Sequence, residues 1–175
     1  MRISYLLITI AVVFSACSQN SGSVSKADRS EKQIRDQVIS MAENYVMDQL
    51  KDANKRIDNN GIITIGDEQK RFIIDPAKIY TGLIDADSEK DAIISIFPFQ
   101  GQYEVMTEHL IITKSDGKFV LIRVLESDMQ ILSIKDGVIT ANVPEHSRNN
   151  PLFNCASCWE VIKYQFRDGE LIEMK

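Results

Sequence analysis

Apolar and polar residues in the segment 30–61 follow the repeat of an amphipathic helix. Ser30 and Gln33 have the spacing of a capping box, in which side chains satisfy free backbone groups of the first helical turn. After them, apolar residues recur at every third or fourth position from Ile34 to Ile57. Gly61 is suited to the left-handed conformation that ends many helices. The pattern predicts one long N-terminal helix of about seven turns.

The rest of the chain has the pattern of β-strands separated by turn residues. Asp-Gly pairs at 116–117, 136–137 and 168–169 lie between β-rich runs, which is a strong hairpin signal. No second helical pattern separates these runs, so we expect antiparallel pairing. The patterns predict an α+β fold, with the helix packed on an antiparallel β-meander of about 8–10 strands. The predicted strands are 62–65, 72–74, 78–84, 91–97, 103–113, 118–126, 129–134, 138–143, 159–166 and 170–174.

The order of elements, one helix followed by a curved antiparallel sheet, is similar to cystatin-like and NTF2-like folds. This resemblance implies an architecture and no function, because function resides in sites and not in folds. The chain has 175 residues, which suits one domain, and we place that domain at residues 30–175. A net charge of −5 provides no basic footprint for nucleic acid or for an anionic bilayer.

The N-terminus has the features of an export signal. Arg2 provides a positive start, and residues 3–14 carry no charge. That apolar run of about 12 residues is too short to span roughly 30 Å of hydrocarbon as a helix. We therefore expect residues 1–16 to be a signal peptide.

The four residues that follow this apolar core are Phe14-Ser15-Ala16-Cys17. They resemble the lipobox of bacterial lipoproteins, with Phe14 where Leu is commoner. The resemblance implies cleavage before Cys17 and a diacylglyceryl thioether on its sulfur, with acyl chains such as palmitate giving a stable membrane anchor. Ser18, in place of Asp, implies the periplasmic side of the outer membrane in a host that has one. Residues 17–29 are small and polar, and we expect a flexible, lipidated tether.

An acidic loop lies within residues 82–94. Asp85, Asp87 and Asp91 resemble the calcium loop of FG-GAP and VCBS-type repeats, although Leu83 replaces the first ligand and Ser88 replaces the turn glycine. Carboxylates at alternate positions of a tight loop converge on one point, as calcium requires. The resemblance implies a calcium site, and the same residues also fit a solvated acidic turn without a metal.

Cys155 and Cys158 form a Cys-x-x-Cys motif. In an oxidising compartment this motif favours a local disulfide. A thiol-redox role is the second interpretation, but the residues after Cys158 predict a strand, whereas thioredoxin-like enzymes place the motif at a helix N-terminus. A zinc site is the third, and it needs His109 and His146 as the remaining ligands.

A loop without a predicted element runs from residue 143 to residue 154. Glu145, His146 and Arg148 lie in it, and we expect them to face a ligand together, because long loops are often recognition surfaces. The same segment also fits a solvated connection between strands. His109 lies in an alternating strand, and we expect it to be half-buried and hydrogen-bonded.

The chain carries no phosphate-binding glycine loop, no nucleophile elbow and no HExxH motif. The leading hypothesis is therefore a non-catalytic, lipid-anchored binding protein of the cell envelope, with a protein, a glycan or a small molecule as its partner. One alternative is a calcium-stabilised module built on the acidic loop. The other is an envelope thiol-redox or hydrolytic enzyme that uses the cysteine pair or His146.

Overall fold

A computed structural model of the chain describes residues 26–67, 69–85, 87–144 and 158–175. Helix α1 (Lys26–Met47) has 22 residues. Its buried side chains recur at every fourth position, at Ile34, Val38, Ala42 and Val46. This spacing places them on one face of the helix, and that face packs against a β-sheet. No helix in the described ranges is long and apolar enough to cross a membrane.

The helix differs from the prediction at both ends. It begins at Lys26, so residues 26–29 of the predicted tether are helical, and Asp28 lies in the first turn, where a negative charge is favourable. It ends at Met47, and the prediction that it continues to Ile57 is wrong. Asn54–Ile57 instead forms strand β1, because its backbone pairs with the strand that follows Gly61.

The larger sheet has seven strands, all antiparallel to their neighbours, in the order β1-β2-β3-β4-β6-β7 with β5 paired to β4. After β1, its members are β2 (Ile63–Gly66), β3 (Lys70–Gly82), β4 (Asp91–Gln100), β5 (Tyr103–Glu104), β6 (Glu108–Ser115) and β7 (Lys118–Glu126).

The smaller sheet has four antiparallel strands in the order β11-β10-β9-β8. They are β8 (Gln130–Lys135), β9 (Val138–Pro144), β10 (Trp159–Arg167) and β11 (Glu170–Glu173). The α+β class and the antiparallel connections agree with the prediction. The described residues contain eleven strands in two sheets, where the prediction was one meander of about 8–10 strands.

Three strand predictions are wrong in their bounds. The predicted strands 72–74 and 78–84 are one strand, β3, with a bulge between Ile74 and Ile79. Pro76 lies in that bulge and its carbonyl accepts a hydrogen bond from Arg35 of the helix. The predicted strand 103–113 is instead divided into β5 and β6.

The larger sheet forms the middle of three layers because the residues of its central strands alternate between two cores. Ile94 and Leu110 belong to the core under the helix. Their neighbours Ile93 and Ile111 belong to a second core, which the smaller sheet covers with Ile131 and other residues. Both faces of β4 and β6 are therefore buried, and the runs look continuously apolar in the sequence.

All three predicted Asp-Gly turns are confirmed. Asp116, Asp136 and Asp168 have φ between 51° and 52°, and the glycine after each also has positive φ. Two consecutive residues with positive φ form a two-residue turn whose twist matches that of the two strands it connects.

Candidate functional site

A cavity of about 580 Å³ is lined by residues of both sheets. The larger sheet contributes side chains of β3, β4, β5 and β6, and the smaller sheet contributes β8 and the first residue of β10. The segment between β5 and β6 also lines the cavity. The volume lies in the range of sites that hold small molecules, which is roughly 300–1,000 Å³.

The floor of the cavity follows from the alternation along β4 and β6. On the face towards the smaller sheet, Ile93 and Ile111 belong to the apolar core. The next residues on that face are Ser95 and His109, which are register partners across the two strands. A polar pair thus replaces the apolar core where the cavity begins.

The two polar side chains of this floor are bonded to each other. Ser95 Oγ and His109 Nδ1 lie 2.9 Å apart. Ser95 is 5% exposed and His109 is 1% exposed. The prediction that His109 is hydrogen-bonded is therefore confirmed. The prediction that it is half-buried is wrong, because β6 is an inner strand and the backbone of Ser127 and Met129 lies against the ring.

Burial lowers the pKa of His109 to about 4, because the charged imidazolium ring loses its hydration. Backbone groups of Ser127 and Met129 favour the charged form and oppose part of this effect. The ring is consequently neutral near pH 7. It can donate or accept a hydrogen bond there, but it provides no positive charge.

The other ring nitrogen of His109 makes no hydrogen bond of full geometry within the described residues. Nε2 is buried, and no group in the described part of the chain meets hydrogen-bond geometry with it, although backbone groups of Ser127 and Met129 approach the ring. A buried polar atom without a partner costs about 1–3 kcal/mol.

The walls of the cavity are apolar and its rim is mixed. Phe97, Met129 and Ile131 provide apolar walls beside the polar floor. Leu132 lies at a β-bulge of β8 and is 45% exposed, and Trp159 of β10 is 40% exposed. Exposed apolar side chains beside a concave surface are typical of a site that a ligand covers.

Three charged residues also line the cavity, namely Lys78, Glu104 and Asp128. All three are exposed, so their charges lie at the solvent side and not at the floor.

Tyr80 also lines the cavity and is half-buried. Burial and the nearby Asp75 raise the pKa of Tyr80, which therefore keeps its hydroxyl proton near pH 7.

A second, smaller cavity of about 230 Å³ lies on the helix side of the larger sheet. Glu108 lines it, is 8% exposed and has one carboxylate oxygen, Oε2, without a hydrogen-bond partner among the described residues. Burial and the neighbouring Glu108 carboxylate raise the pKa of Tyr45 to about 12. Val105 and Met106 line both cavities, so the short segment between β5 and β6 separates the two cavities.

The acidic loop brings the predicted carboxylates together. One oxygen each of Asp85, Asp87 and Asp91 lie within 4.8 Å of one another. Asp85 and Asp87 are exposed, and each accepts a hydrogen bond from a backbone amide two residues further on. The interpretation of a wholly solvated turn is wrong for Asp91, which is fully buried.

Asp91 holds the loop to the sheet through both of its carboxylate oxygens. Oδ2 accepts hydrogen bonds from the amides of Ile84, at 2.7 Å, and Asp85, at 3.3 Å. Oδ1 accepts one from the amide of Lys114 on β6, at 2.9 Å. Burial raises the pKa of Asp91, although these amide contacts oppose the effect. The carboxylate therefore has a structural role that requires no metal ion.

Several predicted site residues lie outside the described residues. They are Cys17, Glu145, His146, Arg148 and Cys155. The disulfide between Cys155 and Cys158 accordingly stays a prediction. The described residues that flank the predicted recognition loop, Pro144 and Trp159, are register partners, and Trp159 lines the cavity.

The sequence patterns did not reveal the cavity itself. Ser95 lies among the isoleucines of β4, and His109 precedes a leucine and two isoleucines in β6. A polar residue within each apolar run was the signal in the sequence that could have indicated a polar site. Their pairing depends on the register of β4 against β6, and the covering residues come from β8, which is distant in sequence.

The chain was compared with known proteins in three ways. No protein family, no curated protein and no solved structure matches it.

Proposed function

We propose that this chain is a lipid-anchored binding protein of the cell envelope that holds a small molecule in the 580 Å³ cavity between its two sheets. The single observation that carries the proposal is the cavity itself, whose lining combines apolar side chains with the hydrogen-bonded Ser95–His109 pair. Binding sites typically combine apolar walls with a few polar groups that orient the ligand. Ser95 and His109 are such groups, and Phe97, Met129 and Ile131 are such walls.

The proposed place of action comes from the N-terminal sequence. A leader that ends directly before Cys17 and a polar segment before the helix support an acylated, tethered protein, on the periplasmic side of the outer membrane where the host has one. Intact-mass measurement of the protein from its native host tests this part. We expect a species that begins at Cys17 and carries acyl chains, and an unprocessed Met1 without fatty acid would contradict it.

The cavity is tested with N-phenyl-1-naphthylamine, an uncharged dye that fluoresces in apolar surroundings. The experiment uses the chain from residue 18 onward, which carries neither the apolar leader nor the acylated cysteine, so that no detergent competes for the cavity. We expect saturable binding of the dye. The variant Leu132→Trp places a larger ring at the rim of the cavity and should abolish that binding.

Ile122→Trp is the matched control for this experiment. Ile122 is 41% exposed, against 45% for Leu132, but lies on β7 and does not line the cavity. The control should bind the dye like the unchanged protein. An absence of dye binding, or an equal response of the two tryptophan variants, would reject the proposed site.

A calcium-stabilised module is the second candidate function, supported by the convergence of Asp85, Asp87 and Asp91 within 4.8 Å. Calcium prefers carboxylate oxygens and takes six to eight ligands, so water would complete the site. Thermal melting in millimolar calcium and in chelator tests it, with Asp87→Asn as the variant that removes an exposed ligand. Equal melting temperatures in the two conditions would reject it.

The order of the helix and the larger sheet still resembles cystatin-like and NTF2-like folds. We propose this as the architectural relationship of that part of the chain. It adds no function, because unrelated sites occur on these folds.

A further inference from the structure

A separate cleft of about 350 Å³ lies on strands β1, β2 and β3 of the larger sheet. Its lining residues are Asn54, Arg56, Thr64, Gly66, Asp67 and Arg71. No described residue lines both this cleft and the cavity between the two sheets. Apart from the glycine, every lining side chain is polar or charged. The cleft therefore suits a hydrophilic ligand, whereas the cavity has apolar walls.

The register of the three strands places the lining residues on one face of the sheet. Gly66 lies between Asn54 and Arg71, and Thr64 is the register partner of Arg56. The neighbouring residues on β2 and β3 belong to the core under the helix, so the cleft opens on the opposite face. Because Gly66 has no side chain, the space above β2 between the two outer strands stays open.

Two arginines flank this open space. Arg56 is on β1 and Arg71 is on β3, so two strand spacings of about 4.8 Å separate their backbones. Extended arginine side chains on both sides can therefore reach one group that lies over β2. Both residues are exposed, and neither forms an ion pair within the part of the chain that the structure describes.

A neighbouring aromatic ring holds one of the two guanidinium groups. The Cζ atom of Arg71 lies 5.0 Å from the centre of the Phe99 ring, and the two residues are register partners across β3 and β4. Stacking occupies a face of the guanidinium plane and leaves the N–H donors at its edge available. An anion that binds Arg71 therefore meets a side chain that is already restrained.

The turn between β2 and β3 binds the one acidic side chain of the cleft. Asp67 Oδ1 accepts hydrogen bonds from the amides of Gln69, at 2.8 Å, and Lys70, at 2.7 Å. These bonds lower the pKa of Asp67, so its carboxylate is ionised near pH 7. The lining then has two positive charges and one negative charge, in a chain whose net charge is −5. The excess positive charge favours an anionic ligand.

We infer that this cleft binds a small, soluble, hydroxylated molecule that carries a phosphate group, and that Arg56 and Arg71 hold the phosphate from two sides. A phosphate has three acceptor oxygens and can engage two guanidinium groups at once, whereas the two oxygens of a carboxylate match one. Asn54, Thr64 and Asp67 provide hydrogen-bond partners for hydroxyl groups on the rest of the molecule.

Isothermal titration calorimetry with glycerol 1-phosphate tests the inference on the chain from residue 18 onward. We expect saturable binding at one site, and weaker binding at about 0.15 M salt than at low salt, because the charges are exposed. Glycerol lacks the phosphate and should not bind. Arg56→Gln and Arg71→Gln should each weaken the binding of glycerol 1-phosphate roughly tenfold, because each removes charged donors.

Two further variants separate a built site from general charge attraction. Arg123→Gln is the matched control, because Arg123 is an exposed arginine on β7 that does not line the cleft. It should bind glycerol 1-phosphate like the unchanged chain. Arg71→Lys keeps the charge but loses the paired donors, and it should bind more weakly. Equal losses in Arg56→Gln and Arg123→Gln, or full binding by Arg71→Lys, would overturn the inference.

Nuclear magnetic resonance locates the bound molecule without a variant. We expect glycerol 1-phosphate to shift the backbone amide signals of residues 54–56 and 64–71. Shifts confined to other parts of the chain would overturn the inference, and so would an absence of shifts. Circular dichroism establishes that each arginine variant is folded, and Arg56→Gln keeps the calorimetry decisive if the loss of the Phe99 contact unfolds the Arg71 variants.

A lipid headgroup is another source of phosphate, and vesicles distinguish it from a soluble ester. The chain from residue 18 onward is sedimented with vesicles of phosphatidylglycerol and of phosphatidylcholine. We expect no sedimentation with either. Sedimentation with phosphatidylglycerol that Arg56→Gln abolishes would assign the phosphate to a lipid and overturn the soluble ligand. Dye binding to the cavity and phosphate binding to the cleft involve different residues, so either can fail without the other.

Discussion

The buried histidine makes the stability of this protein depend on pH in a defined window. The pKa of His109 falls from its ordinary value of 6.5 to about 4 in the folded chain. Between these two values the unfolded chain binds a proton that the folded chain excludes. Since stability rises with pH wherever the unfolded state binds more protons, the contribution is complete above pH 6.5 and is lost as the pH falls to about 4.

The size of the effect follows from the same values. A difference of one pKa unit corresponds to about 1.4 kcal/mol. The change from 6.5 to about 4 therefore corresponds to about 3 kcal/mol. His109 is 1% exposed, so solvent screens little of this free energy.

The assay compares urea unfolding of the unchanged chain with that of His109→Asn at intervals from pH 7 to pH 4. The variant lacks the titrating ring, and its packing loss is independent of pH. Carboxylates titrate in both proteins and cancel in the difference. We expect the stability advantage of the unchanged chain to shrink by about 3 kcal/mol over this range.

Parallel pH profiles for the two proteins would refute the reasoning. So would an NMR titration in which His109 takes up a proton near pH 6.5, because that value is typical of a hydrated ring. Either result would mean that water reaches the floor of the cavity and satisfies Nε2.

Three further predictions concern the layers and the acidic loop. Gly82→Ala places a Cβ 2.6 Å from Ile134 Cγ2, where β3 meets β8. Urea unfolding should therefore show a loss of stability of about 1–3 kcal/mol. An unchanged midpoint would contradict this close approach. Asp91→Asn should lower stability by about 2 kcal/mol in the same assay, with or without calcium. The side-chain nitrogen of asparagine cannot accept the hydrogen bonds that the backbone amides donate to this carboxylate. The exposed Asp87→Asn should change stability little in chelator. Ile111→Ala should cost about 2–5 kcal/mol, because the side chain joins the larger sheet to the smaller one; a near-zero loss would mean that the sheets do not pack there.

Local chemistry explains which elements were predicted correctly. The Asp-Gly turns depend on neighbouring residues alone, so the hairpins at 116, 136 and 168 are as expected. The stripe at Ile34, Val38 and beyond marks the buried face of the helix for the same reason. The end of the helix was wrong because the spacing of Leu50, Ala53 and Ile57 fits a helix, while long-range pairing of 54–57 with 63–66 decides the outcome.

The candidate site likewise has features that local sequence predicts and features that it does not predict. The spacing of Asp85, Asp87 and Asp91 within one loop was enough to predict that their carboxylates converge. The depth of Asp91 was not predictable, since its third hydrogen bond comes from Lys114 on another strand. The pairing of Ser95 with His109 was likewise not predictable, because the two residues lie on different strands.

The sequence by itself determined the type of most elements, their turns and the antiparallel sense of their connections, because periodicity and turn chemistry act over a few residues. Only the tertiary structure decided that the strands divide into two sheets and that a cavity lies between them. The physical reason is that burial and register join residues far apart in the chain, as when Met129 and Ile131 line the same cavity as the Ser95–His109 pair. The burial of His109 has the same origin, and it lowers the pKa of the ring by removing its hydration.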